Sequence, residues 1–150
     1  MIELATKDDV QELVSIWIDI SRKEFSQQIG SEAIEYFIES GEMEQETLKL
    51  IADTYVYRKN GCVAGFVVLI DNLIELVLVR TEFQNSVIGS RLYRFALKRI
   101  CKEHGHVRAE CFANNERANS ILTRLRFTFD GSYEDDMGFV TNTYSKQCPA

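Results

Sequence analysis

No stretch of this chain stays apolar for the ~20 residues a membrane-spanning helix needs. The longest unbroken apolar run is Cys62 to Ile70. The N-terminus also lacks the basic and apolar blocks of a signal peptide. These absences predict a soluble, cytoplasmic protein with no membrane partner. The single proline, Pro149, sits in what reads as a loose tail, and there is no internal repeat, linker or low-complexity segment. With 150 residues the chain is long enough for one domain, over 1–150, and too short for two comfortable ones.

Cysteines are few, and Cys62, Cys101, Cys111 and Cys148 contain no CxxC pair. Three of them fall in predicted elements, so reduced, mostly buried thiols are expected. Cys101, His104, His106 and Cys111 would straddle a helix end and a strand, unlike the spacings of zinc sites, and no metal is expected. Positive charge is outnumbered, and the formal net charge of -6 argues against a nucleic-acid duplex as partner. A cationic partner is easier to accommodate, although mild acidity also serves solubility alone.

What is present is organised around Leu73 to Leu92. Its first half is rich in Val, Leu and Ile and interrupted by Glu75, which reads as an interior strand carrying a costly polar group. Its second half turns through Gln84 to Ser90 into a helix with Ile88, Leu92, Phe95 and Ala96 on one face. A strand, a tight loop and a helix N-terminus make an anion site, because unpaired N–H groups and the positive end of the helix dipole face the same way.

Elsewhere, Ile2 to Ala5 reads as a short strand, and Thr6 with Asp9 resembles a capping box. The helix that follows carries Val10, Leu13, Val14 and Trp17 inward through about Arg22. Phe25 to Ile29 reads as a loop. A second helix starts at Gly30 and Ser31 and stops at Gly41, and Glu42, Glu44 and Glu46 form an acidic, solvated patch. Ile51 to Arg58 and Cys62 to Ile70 flank Asn60-Gly61, a strong hairpin signal, and Asp71-Asn72 turns into the Leu73 to Val79 strand. After the helix that stops at Gly105, Val107 to Ala113 is predicted to lie parallel to the Leu73 strand. Asn114 or Asn115 caps a last helix to about Leu125. Strands at Phe127 to Asp130 and Gly138 to Tyr144 close the chain, with a polar loop at Ser132 to Asp136 between them.

This order of elements, with VRTEFQNSVIGSRL after the third meander strand and NERANSILTRLRF later, resembles the GNAT superfamily of N-acetyltransferases over nearly the whole chain. Gln84, Gly89 and Ser90 fit the family's loop motif, with Val87 where its first glycine usually stands. Asn115, Ala118 and Phe127 fit the second block, with Leu122 in place of a tyrosine and Arg126 in place of a glycine. The resemblance implies an α+β fold. Its central sheet has about seven mostly antiparallel strands, a parallel pair at the cofactor notch and about four flanking helices. It implies acetyl-CoA as cofactor, in the notch between the Leu73 and Val107 strands. Cofactor contacts would come from Val77, Val79, Gln84, Asn85, Ser86, Val87, Ile88, Gly89, Ser90 and Asn115, the last equally readable as a helix cap.

In the family a carboxylate on this strand takes a proton from the attacking amine, and Glu75 is the candidate, its basicity raised by burial. A backbone N–H near Leu78 or Val79 would stabilise the oxyanion. Leu122 replaces the usual general acid, for which Tyr144 or Tyr133 would have to substitute. The implied activity is acetyl transfer to a primary amine, of a small molecule or a protein, in a ternary complex. Two alternatives stay open: an acyl-CoA sensor of the same fold with little or no chemistry, and an acyl group longer than acetyl. The acceptor wall would come from Phe25 to Tyr36 and the late loop, where no motif constrains it, and nothing in the sequence sets the oligomeric state.

Overall fold

The computed structural model describes residues 1–84, 86–135 and 138–150. The strands are β1 (Ile2–Leu4), β2 (Thr54–Lys59), β3 (Cys62–Ile70), β4 (Leu73–Val79), β5 (His106–Phe112), β6 (Thr128–Glu134) and β7 (Val140–Gln147). They form one sheet in the order β1-β2-β3-β4-β5-β7-β6. The β4–β5 pair is parallel, with Leu73 opposite Arg108 and Ile74 opposite Ala109. The helices are α1 (Val10–Ile20), α2 (Ser26–Ile29), α3 (Ser31–Glu39), α4 (Glu42–Leu50), α5 (Ile88–Ile100) and α6 (Glu116–Arg124). This is the expected α+β architecture. Among the described residues no helix is long and apolar enough to cross a membrane.

The chain divides into two compact units. The first comprises Met1–Val68 and Leu76–Tyr93. Its core joins Val10, Leu13, Ile16 and Ile20 of α1 to Val56, Val63 and Val67 of the β2–β3 hairpin, with Leu78, Ile88 and Leu92. The hairpin turns at Asn60 and Gly61, whose φ values of 54° and 79° are both positive, as a two-residue turn matching strand twist requires. Asp9 accepts from the Thr6 N–H at 2.8 Å, completing the expected cap, and also takes two hydrogen bonds from Arg58.

Two segments of this unit differ from expectation. Ser21–Phe25 is a π-helical turn that runs into α2, so the stretch expected as a loop is helical. The acidic stretch beginning at Glu42 is the helix α4, because Met43 and Thr47 lie on one face and are buried while the glutamates stay outside.

The second unit comprises Leu69–Glu75 and Arg94–Ala150. β5 pairs along its whole length with β7, and β6 forms the far edge. β6 runs on to Glu134, into the stretch expected as a polar loop, while β7 starts at Val140, two residues later than expected, and continues past Tyr144 to Gln147. Val107, Ala109, Leu122, Phe127 and Tyr144 form the core.

α6 ends in a six-residue and a four-residue backbone loop: Phe127 N–H donates to Leu122 O and Arg126 N–H to Thr123 O. That geometry puts Arg126 at φ 66°, which explains why the family pattern has glycine there. Cys101, just past α5, and Cys148, just past β7, are joined in a disulfide. Cys62 is exposed and Cys111 half-buried. The expectation of four reduced, mostly buried thiols is therefore corrected. The pairing follows from the fold, which hydrogen-bonds the Cys148 N–H to Gly105 O and so lays the chain's end against the end of α5.

Candidate functional site

In the first unit, β4 gives way after Val79 to a 3-10 turn, Thr81–Phe83, and then to the loop before α5. Arg80 fixes the exit from the strand: its N–H donates to Ala64 O at 2.8 Å, and its guanidinium reaches Val63 O and Glu12. Thr81 is held by Asp19 and Lys23 of the α1 region. The Gln84 amide donates to Val79 O at 3.1 Å and to Glu24 at 3.4 Å. The supports at Glu12, Asp19 and Glu24 escaped the sequence reading because each acts across more than fifty residues and no local pattern marks it.

Asn85 lies outside the described residues. The Ser86 hydroxyl donates to Phe83 O and accepts from the Ile88 N–H. Val87 is exposed, has no positive φ, and gives its carbonyl to the Arg91 N–H at 2.9 Å. It therefore stands at the entry to the helix, where a β-branched residue is tolerated. The N–H groups of Gly89 and Ser90 come before the first donor of the helical ladder, the Arg91 N–H, in a first turn that holds no acidic side chain. Small residues, forward-facing amides and no competing carboxylate suit a pyrophosphate, so the residues present fit the cofactor. Ile88 is buried and offers only its backbone. Arg91 donates to the Tyr57 hydroxyl at 2.8 Å.

Val77 and Val79 are half-buried in β4. The two candidate oxyanion positions differ. The Leu78 carbonyl packs against Gly65 of β3, where an added Cβ would lie 2.8 Å away, whereas the Val79 carbonyl is turned to Gln84. The Val79 N–H belongs to the same trans peptide as the Leu78 carbonyl and so points the opposite way, away from β3.

In the second unit Glu75 is exposed, contrary to the burial expected from its apolar neighbours. The alternation of β4 explains this: Ile74 takes the buried face, leaving Glu75 on the other. The β4–β5 register sets Leu73 and Arg108 on that same face, hence also Glu75 and Glu110. The Tyr133 hydroxyl donates to Glu110 at 3.2 Å. Burial pushes the Tyr133 phenol up, and the charges of Glu110 and Glu75 add to the shift. Glu110 and Tyr133 were not singled out together. The signal was the two-residue period of β5, legible only once its partner strands were known.

On the opposite face Asn119 accepts from Asn142 at 2.9 Å and from the Tyr144 hydroxyl, while its amide donates to Phe112 O and Asn115 O. Tyr144 is therefore engaged in the packing of α6. Asn115 caps that helix, its side-chain oxygen accepting from the Ala118 N–H at 3.2 Å. Leu122 is fully buried. Burial pushes the Cys111 thiol up to about 11.

Comparison with known proteins places these features. No curated protein matches the sequence. Among solved structures, the PaiA N-acetyltransferase of Thermoplasma acidophilum, in complex with coenzyme A, aligns with a TM-score of 0.81 at 17% identity over 98% of each chain. A GCN5-related N-acetyltransferase from Rhodopseudomonas palustris gives a TM-score of 0.81 at 12% identity, covering 98% of this chain and 94% of that one. YncA of Salmonella typhimurium, solved with its cofactor acetyl-CoA, gives 0.71 at 14% identity, covering 99% and 94%. At these identities the likeness shows the fold. The profile of the Acetyltransferase (GNAT) family matches residues 14–127. With most of its length in that match, the chain belongs to the GNAT family of acetyltransferases, enzymes that draw their acetyl group from acetyl-CoA.

Proposed function

We propose that this chain acetylates a primary amine by direct attack in a ternary complex, with Glu75 as the base. The observation that carries the reading is the passage from β4 into α5. There Val87 gives the first ladder carbonyl, and Gly89 and Ser90 present their amides in a turn free of carboxylates. Gln84, Ser86 and Val87 shape that loop, Ile88 contributes its backbone, and Asn85 is a further candidate cofactor contact. Val77 and Val79 border the bound chain along β4, and Asn115 adds its side-chain amide.

Acetyl-CoA supplies a thioester, whose thiol, with pKa near ~8.5, leaves tolerably without a proton donor. This suits a chain whose residue 122 is a buried leucine. Val79 directs its N–H toward the charge that develops on the carbonyl oxygen. Glu75 orients the incoming ammonium and takes its proton, and its exposure lets it do so through water. Glu110 and Tyr133 hold the face on which the amine arrives.

The test is Glu75→Gln, assayed for thiol release with acetyl-CoA and a mixed panel of amines. Because the side chain is exposed, the variant folds. Turnover should fall ~10²-fold or more while coenzyme A affinity by calorimetry holds. Unchanged turnover would remove Glu75 from the chemistry, and absence of any coenzyme A binding would remove the cofactor site.

A further inference from the structure

The face that carries Glu75 and Glu110 continues into a cavity. β5 alternates over its first four residues: Val107 and Ala109 are buried, while His106, Arg108 and, by the two-residue period, Glu110 point the other way. β7 sets Ser145 opposite Arg108 and Thr143 opposite Glu110. Asp130 sits in β6 where its register with β7 shifts. Together these six residues line a cavity of about 320 Å³.

Charge in this cavity is segregated. Arg108 is anchored from behind, its Nε donating to Asn72 Oδ1 at 3.0 Å and its backbone N–H to Asn72 O at 2.8 Å. Its two terminal nitrogens have no partner among the described residues, and no ion pair there involves Arg108, Glu110 or Asp130. A guanidinium held at Nε with both terminal nitrogens open presents the fork that binds a carboxylate bidentately. Glu110 lies two residues along the strand, roughly 7 Å away, next to Glu75 and under the Tyr133 hydroxyl. Asp130 contributes a second negative charge to the same cavity.

We propose that this cavity selects the acceptor, and that the acceptor is a free diamino acid. Its carboxylate sits on Arg108, its α-ammonium near Asp130, and its distal amine at Glu110 and Glu75. This rests on the acetyltransferase reading and names its substrate class. Two cationic groups and one carboxylate complement the two acids that line the cavity, Asp130 and Glu110, and its one arginine, with Glu75 beside Glu110. A diamino acid with three or four methylenes also spans the roughly 7 Å between the two levels of β5. A plain diamine leaves Arg108 unanswered and repelled, and a monoamine leaves Asp130 or Glu110 without a counter-charge. Arg108 is the specificity-determining residue.

The experiment compares ornithine and lysine with 1,5-diaminopentane, 6-aminohexanoate and a lysine blocked at both its α-amine and carboxyl groups. Binding to the protein with coenzyme A is followed by calorimetry and turnover by thiol release. The free diamino acids should bind and react at least tenfold better than the others. Arg108→Met should remove about tenfold or more of the diamino-acid affinity, as expected for a lost charge-assisted pair, with no loss for the diamine. Arg108→Lys should restore only part of it. Equal or better use of the diamine, or an Arg108→Met variant that treats all acceptors as the parent does, would overturn the assignment. Loss of turnover in Glu75→Gln with no head-group preference sinks this inference and keeps the acetyltransferase mechanism. Arg108-dependent binding without turnover keeps the site and sinks the mechanism.

Discussion

Replacing Gly65 with Ala tests how closely β4 is held in the place its proposed chemistry needs. A Cβ at residue 65 would meet Leu78 O at 2.8 Å, Leu92 Cδ1 at 3.2 Å and Val79 Cα at 3.3 Å. The leucine methyl can rotate away. The carbonyl and the Cα belong to a strand that cannot, and the first contact is roughly 0.6 Å short of the 3.4 Å at which ordinary packing begins. Overpacking of this kind costs about 1–3 kcal/mol. The stiffer unfolded chain of an alanine returns about 0.4–1 kcal/mol. The net is a destabilisation of about 1–2 kcal/mol, which lowers Tm by about 2–8 °C for a chain of this size.

The strand that must move is the one carrying Val79, so turnover should fall with stability. A donor displaced by half an ångström forfeits a large part of the ~10²–10³-fold that one oxyanion donor supplies. Calorimetry and steady-state kinetics on Gly65→Ala read the two effects. Gly105→Ala is the control, since nothing lies within 4 Å of its added Cβ. A Gly65→Ala enzyme with parental Tm and kcat would refute the close approach of β3 to Leu78 and Val79 and the role given to that stretch.

The Cys101–Cys148 bond spans 47 residues, and loop closure of that length contributes about 4 kcal/mol, so a phosphine reductant or Cys148→Ser should lower Tm by roughly 8–16 °C. Before reduction, a thiol reagent should find Cys62 at once and the half-buried Cys111 slowly, and a third reactive thiol would contradict the bond. Arg126→Gly relieves a left-handed residue costing about 1–2 kcal/mol, less the glycine entropy of about 0.5–1 kcal/mol, and should raise Tm by a few degrees. Hydrogen-bonding to Arg58 and to the Thr6 N–H outweighs burial, the largest single influence, and holds the Asp9 carboxyl below its ordinary 3.8. Its contribution is therefore whole above that value and lost as pH falls through the lower folded value, and Asp9→Asn should flatten this acid limb of the stability curve. Because β3, β4 and α5 each run through both units, one calorimetric transition is expected, and two resolved transitions would divide the single domain proposed from chain length.

The residues that specify their own conformation were legible in the sequence. Asn60-Gly61 turns a hairpin because both positions accept positive φ, the apolar spacing of α1 and α5 declares their buried faces, and the loop before Gly89 announces a helix start. These are short-range matters of sterics and period, so the order of elements and the family followed. The tertiary structure decided whatever depends on who the neighbour is. Glu75 shares its strand with apolar residues yet faces outward, because Ile74 takes the core side. The glutamates after Gly41 belong to a helix, because Met43 and Thr47 find a core to enter. Cys101 meets Cys148, and Tyr133 meets Glu110, only after β7 is laid beside β5 and β6 beside β7. A sequence carries the period of each strand, but the register between strands is a long-range choice, and register is what brings Arg108, Glu110 and Glu75 onto one face.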